Sequence, residues 1–405
     1  MVNVGILGYG TVGSGVVEVI ATNQESINKK AGTQVNVKYV LDLKDFPGDP
    51  IQEKIVHDVN IILDDPEVNV VVEVMGGVEP AYTFVKKALL AGKSVVTSNK
   101  ALVAKHGAEL LEIAKDNKLN FLFEASVGGG IPIIRPLNQS LTADEIREIC
   151  GILNGTTNYM LTKMDKEGLA FDDVLADAQA KGYAERNPEA DIEGYDACRK
   201  IAILSSLAYG SQIDFEDIYT EGITKITDVD FKYAEKLGRS VKLLGMSKRM
   251  DDGSIYAIVA PFMISPEHPL YSVNGVINGI HIVGNMVGDV TFIGAGAGKL
   301  PTASAVVTDI VDCAKHRGTN IMTFWGREKL ELADVNNASY AFYVRVKGAK
   351  SEMLSKVSDA LGNVSVIELD GLTDEFAVVT DVMTEKDFNA AVAGLDCVLG
   401  RIRMI

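Results

Sequence analysis

Cysteine is scarce in this chain of 405 residues: Cys150, Cys198, Cys313 and Cys397 are scattered, and no two form a CxxC pair. That pattern argues against a zinc site and a disulfide framework, and for reduced structural thiols. Positive charge is also in short supply, with 39 Lys and Arg against 55 Asp and Glu, a formal net charge of −16. Broad nucleic-acid binding needs a basic face, so that class is set aside. No apolar run is long enough to cross a bilayer. The first residues, "MVNVGILGYG", enter a strand-like run with no basic segment before it, unlike a secretory signal. A cytoplasmic protein with no membrane partner is expected. Internal repeats and low-complexity segments are absent too.

What remains is an ordinary globular composition, 47% apolar and 23% charged, long enough for two or three domains. Val2–Leu7 is an apolar run followed by "GYGTVG" and an apolar-periodic segment, a strand, glycine turn and helix. Gly8, Gly10 and Gly13 make a GxGxxG in that context. Gly8 suits the tight turn, Gly10 lets a pyrophosphate approach the backbone, and Gly13 lets helix and strand pack closely. Thr11 and Val12 open the helix that would face the phosphates. "VNVKYVLD" reads as a second strand ending in Asp42, whose carboxylate suits a ribose 2′-hydroxyl and so NAD. Lys44 would instead attract the 2′-phosphate of NADP, and both cofactors stay open. Strands and helices alternate as far as "NFLFEASV", which predicts a Rossmann-type doubly wound parallel sheet.

From about Pro132 the pattern changes to that of an α+β substrate domain, to which the resemblance given below adds catalysis and dimerisation. Expected boundaries are 1–131 for nucleotide binding, completed by about 296–325, then 132–295, a charged linker at 326–339, and a tail at 340–405. The tail reads strand, helix, strand, strand, helix, strand, a βαββαβ module.

"AKGYAERNPEADIEGYDACRK" places five acids, Glu185, Glu189, Asp191, Glu193 and Asp196, ahead of Arg199 and Lys200. Asp196 and Lys200 are four apart and share a helix face. Alone, such a pair is a surface ion pair worth ~0.3–0.5 kcal/mol. Acids beside a lysine also suit gripping an ammonium and moving a proton. "TSNK" puts Asn99 and Lys100 just after a strand, and "GILNGTTNYML" offers small residues and hydroxyls.

Taken with "EASVGGGIPII" and "GAGAGKLPTASAVVTD", these segments resemble homoserine dehydrogenase, in order, from about residue 2 to residue 325. The resemblance implies reversible NAD(P)-dependent reduction of L-aspartate 4-semialdehyde to L-homoserine, in threonine and methionine biosynthesis, by a homodimer or higher homo-oligomer. It implies that Lys200 donates the proton and that Lys100 lies near nicotinamide and substrate. Glu185 would be the main substrate ligand, with Tyr183, Asp191, Asp196, Gly155 and Thr156 as further contacts, and Asn99 and Gly298 would join the cofactor site. It also implies a monovalent cation, Na+, on Glu124 and the carbonyls of Val127, Gly129 and Ile131. Many relatives carry an arginine where Leu41 stands here, which counts against a strict NADP preference. The tail resembles an ACT module. Its "VRVKGAKSEM" lacks the usual Asp-x-Pro-Gly effector turn, which leaves threonine feedback and plain support of assembly both open.

Two other readings compete. A cysteine-dependent aldehyde dehydrogenase would need an activated thiol, for which Cys150 is the nearest candidate. A nucleotide-sensing regulator would bind cofactor and leave the lysines and acids idle.

Overall fold

The computed structural model describes all 405 residues. Strands β1 (Val2–Leu7), β2 (Val35–Leu41), β3 (Ile55–Val56), β4 (Val68–Glu73), β5 (Ser94–Thr97) and β6 (Phe121–Leu122) form one sheet in the order β3-β2-β1-β4-β5-β6. Every pair in it is parallel. β1 and β4, "VNVGIL" and "VNVVVE", are buried on both faces, as helices on each side require. The chain leaves β1 toward β2 and β3, then returns on the other side as β4. Strand order therefore reverses between β1 and β4, and a crevice opens at their carboxyl ends. Helix Lys299–Lys315 returns from far along the chain to pack on helix Thr11–Thr22; a Cβ on Gly15 would lie 2.8 Å from Lys299 O.

The second sheet is mixed. It contains β7 (Ile146–Ile152), β8 (Tyr219–Thr220), β9 (Ser240–Arg249), β10 (Ile255–Ile264), β11 (Ile277–Gly284) and β12 (Gly288–Ala295). It also takes in four tail strands, β13 (Ser339–Lys347), β14 (Val364–Ile367), β15 (Glu375–Thr380) and, after the two-residue β16 (Met383–Thr384), β17 (Val398–Met404). The order is β12-β11-β7-β9-β10-β17-β13-β15-β14. β10 explains why this sheet is double-sided: all ten residues are buried, and successive side chains enter different cores. Ile255, Ala257, Val259 and Met263 join the core shared with helix Tyr195–Tyr209. Tyr256, Ile258, Ala260, Phe262 and Ile264 join a second core with Phe342, Val357 and Phe388 of the tail. Pro261 falls between the residues that pair with β8 and those that pair with β17, where a missing N–H is tolerated.

The tail has its βαββαβ order, but its sheet is continuous with that of β7–β12 through β10 and β17. Residues 326–339, expected as a linker, are stitched to the body rather than free. Gln212 N donates to Glu328 O at 2.8 Å, Leu330 N to Gln212 O at 2.8 Å, and Ala333 N to Ile255 O at 2.7 Å. Backbone groups near a sheet edge must be satisfied, and this charged segment satisfies them. No helix is long and apolar enough to cross a membrane.

Candidate active site

The glycine turn lies at the carboxyl end of β1. Gly8 has φ +104°, a conformation that favours glycine. A Cβ on Gly13 would lie 2.0 Å from Gly8 O, so only glycine lets the helix start close on the turn. A Cβ on Gly10 would meet nothing within 4 Å, and Gly10 and Thr11 are exposed at the start of the helix. A free, positively polarised helix N-terminus behind an open glycine fits a pyrophosphate. Val12 is half-buried behind it.

Asp42 is held at the rim of this turn. Its Oδ2 accepts from Tyr9 N at 2.9 Å and its Oδ1 from Lys44 N at 3.0 Å. Lys44 itself is exposed. Leu41 is 8% exposed and part of the hydrophobic core, so an arginine there would have to leave the core to reach a phosphate. A Leu41→Arg change is therefore first a packing change, and Leu41 is no guide to cofactor choice.

At β4 and β5 a buried chain of bonds sets up Lys100. Glu73 Oε1 accepts from Met75 N at 2.8 Å, and Thr97 Oγ1 donates to Glu73 Oε2 at 2.6 Å. Thr97 Oγ1 in turn accepts from Asn99 N at 2.9 Å. Asn99 then caps helix Lys100–Asp116, accepting from Leu102 N at 3.1 Å, and donates to Gly77 O at 2.5 Å. Burial pushes the Glu73 carboxyl up, opposed by those bonds. The sequence reading missed Glu73; its only signal was an acid ending an otherwise apolar strand.

Three helix starts converge beyond this point, those of Lys100–Asp116, Gly155–Glu167 and Tyr195–Tyr209. Asp196, 4% exposed, sits between two lysines: Oδ1 lies 2.5 Å from Lys100 Nζ and Oδ2 lies 2.7 Å from Lys200 Nζ. Lys200 Nζ also donates to Leu153 O at 2.7 Å. Burial favours a neutral Asp196, but the two ammoniums outweigh it and hold the carboxyl well below the usual range. Burial lowers the Lys200 ammonium, with Asp196 opposing and Lys100 adding to the fall. Burial also works against the Lys100 charge, but Asp196 outweighs it there and Lys100 is raised. The two lysines are thus driven apart in proton affinity, a hallmark of sites that move protons. A surface ion pair does not describe this geometry.

Asn154 closes the cluster, donating through Nδ2 to Asp191 Oδ1 at 2.7 Å and to Asp196 Oδ2 at 2.9 Å. Burial raises the Asp191 carboxyl. Gly155 begins its helix against Val276 O, 2.9 Å from where a Cβ would be. Thr156 Oγ1 donates to Tyr183 O at 2.6 Å, and the Tyr183 ring stacks edge-on against Tyr159 at 4.9 Å. Glu185 lies on the exposed stretch between helices Phe171–Ala180 and Glu189–Ile192, and only its backbone carbonyl is engaged, by Gln179. Its carboxylate is therefore free for a ligand. Glu189 is exposed, whereas Glu193 is half-buried against the Gly222 backbone.

Gly298, at φ +126°, precedes helix Lys299–Lys315 in the nucleotide half. The glycine loop at 127–131 packs on the same region, since a Cβ on Gly129 would lie 2.4 Å from Gly296 O. The Glu124 carboxylate is buried and accepts from the Ile133, Ile134 and Arg135 amides at 2.6, 2.8 and 2.8 Å. The carbonyls of Val127, Gly129 and Ile131 accept none of the chain's backbone hydrogen bonds.

Cys150 does have a histidine beside it, His268, with Nε2 3.9 Å from Sγ. Burial raises the thiol and lowers His268 to about 4, so neither is charged and no thiolate forms. Cys198 is buried, its thiol bonded to Phe215 O at 3.2 Å.

A dinucleotide turn at a switch point, facing a buried carboxylate between two lysines, defines an NAD(P)-dependent oxidoreductase. The family model described as "Homoserine dehydrogenase, NAD binding domain" matches residues 8–124, and that described as "Homoserine dehydrogenase" matches residues 132–311. The homoserine dehydrogenase of Helicobacter pylori is 44% identical over 85% of this chain and 81% of its own. The crystal structure of the Thiobacillus denitrificans enzyme superposes with a TM-score of 0.92 at 38% identity, covering 100% of this chain and 98% of that one. A hyperthermophilic archaeal homoserine dehydrogenase mutant in complex with NADPH gives 0.65 at 32% identity over 77% of this chain and 97% of that one. The chain belongs to the homoserine dehydrogenase family.

Proposed function

We propose that the chain reduces L-aspartate 4-semialdehyde to L-homoserine, and the reverse, with Lys200 as the proton donor to the carbonyl oxygen. The observation that carries this reading is the Lys100–Asp196–Lys200 bridge at the meeting of three helix starts. NAD(P)H, when bound, supplies the hydride that attacks the aldehyde carbon. As the carbonyl oxygen gains electrons it needs a proton, and an ammonium with lowered proton affinity gives one up readily. Two of the three Lys200 N–H groups have acceptors, Leu153 O and Asp196 Oδ2, which leaves the third for substrate. Lys100, more exposed, remains charged and offers its field to the developing alkoxide and the substrate carboxylate. Glu185 and Asp191 suit the substrate ammonium. Thr156, Gly155 and Tyr183 shape the wall beside them.

The cofactor is held by Gly8, Gly10, Thr11, Val12 and Gly13 at its pyrophosphate, with Asn99, Lys100 and Gly298 toward the reacting end. Asp42 presents an acceptor to a ribose 2′-hydroxyl, while exposed Lys44 presents a cation to a 2′-phosphate, and both NAD and NADP use follow. A sodium ion fits the unengaged carbonyls of Val127, Gly129 and Ile131, joined by the carbonyl rather than the carboxylate of Glu124. The tail is an ACT-like module; its strand order β17-β13-β15-β14 with two helices supports that reading. We read the protein as serving threonine and methionine biosynthesis, in the cytoplasm, as a homo-oligomer.

The test is oxidation of NADH and of NADPH by aspartate semialdehyde. Absence of turnover with both cofactors would overturn the proposal and favour a nucleotide sensor.

A further inference from the structure

Asn154 lies in "GILNGTTNYML" but cannot titrate, yet its side chain reaches both buried acids of this site. It is 6% exposed and precedes helix Gly155–Glu167. Its Oδ1 caps that helix, accepting from Thr157 N at 2.8 Å. Its Nδ2 carries two hydrogens, and each goes to a different carboxylate, Asp191 Oδ1 and Asp196 Oδ2. The carbonyl before it, Leu153 O, accepts a hydrogen bond from Lys200 Nζ at 2.7 Å. One turn of chain thus fixes two acids and the lysine proposed as the proton donor.

We propose that Asn154 is a positioning residue that holds Asp191 as a carboxylate beside the Lys200–Asp196 pair, ready to take the substrate's ammonium. The inference rests on the reading of Asp191 as an ammonium ligand. Asp191 faces Asp196 and Lys200 from helix Tyr195–Tyr209 and Lys100 from helix Lys100–Asp116. Burial and the Asp196 charge both favour its neutral form, and the Asn154 hydrogen bond and the two lysines oppose them. A buried carboxyl that loses a donor gains proton affinity. Without the amide, Asp191 protonates at higher pH, and it loses the tether that keeps two like charges together. A neutral acid no longer holds an ammonium strongly.

The test uses the full-length enzyme and homoserine oxidation. Serine also caps helices well but cannot reach two carboxylates, so Asn154→Ser separates the cap from the bridge. Expected is an acid limb of kcat/KM moved up by about one pH unit, with the change mainly in KM and with a Tm close to wild type. Asn154→Gly, also tolerated at a cap, gives the same readout if the serine variant folds poorly. In an Asp191→Asn background the Asn154→Ser shift should vanish. A wild-type acid limb in a folded Asn154→Ser variant would overturn the proposal, as would a shift that persists in the Asp191→Asn background. If Asp191→Asn alone leaves the homoserine KM unchanged, the ligand reading of Asp191 fails first, and the proposal with it.

Discussion

Lys200 is 12% exposed at its side chain and Lys100 is 41% exposed, while both bond one carboxylate. In the proposed reaction that difference in burial separates the proton donor, Lys200, from a charge that stays put, Lys100. For aldehyde reduction, Lys200 must be protonated, and its affinity lies below the ordinary lysine value. The rate should therefore fall on the alkaline side at a pH below about 10.5, and a profile flat to that pH would contradict the assignment. Glu185 has no protein partner for its carboxylate, so Glu185→Gln should leave Tm near wild type and raise the KM for homoserine by about tenfold or more. An unchanged KM would return Glu185 to the solvated surface. At this scale the sequence is legible where spacing speaks, as in Asp196 and Lys200 four apart on one helix. It is silent on Asn154, because an asparagine before a helix reads as a cap and its acid partners lie 37 and 42 residues further on.

Among elements, the first strand, turn and helix show how one motif divides its work. Gly13 is required by packing, with Gly8 O in the place of a side chain, whereas Gly10 is open. Gly13→Ala should lower both Tm and cofactor affinity, because the turn has to move. Gly10→Ala should keep Tm within a few degrees and raise the Kd for NADH, because the methyl group meets only the ligand. Thermal unfolding and cofactor titration of both variants check this, and equal Tm losses would refute the division. Strand β2 marks the limit of pattern reading. Its last apolar residue, Leu41, faces the core, a fact set by the pairing of β2 with β1 and β3 rather than by any local residue. The irregular segment 326–339 misleads for a similar reason: its charge suggests freedom, but its backbone bonds go to Gln212 and Ile255.

In the whole molecule, the tail is built into the catalytic body. Arg403 on β17 is 1% exposed and pairs with Glu385 of the tail and, at 2.9 Å, with Glu221 of the catalytic part. Glu221 precedes Gly222, whose backbone lies against Glu193, in the turn that leads into the helix of Asp196 and Lys200. Arg403→Met would leave Glu385 buried without its cation, a loss of about 3–5 kcal/mol. Urea unfolding should show it, and a loss under about 1 kcal/mol would mean that the pair contributes little to joining the parts. The order of six tail elements is readable from sequence, but its fusion to β10 is not, since two strands some 140 residues apart in the chain pair at Phe262–Arg403 and Met263–Met404.

The central claim is that Lys200 gives the proton in aldehyde reduction, and its most direct test is steady-state turnover of aspartate semialdehyde with NAD(P)H by Lys200→Ala beside wild type. The account predicts a fall in kcat of at least ~10²-fold with a much smaller change in KM, since the proton is needed in the transition state. A folded Lys200→Ala enzyme that turns over near the wild-type rate would contradict it.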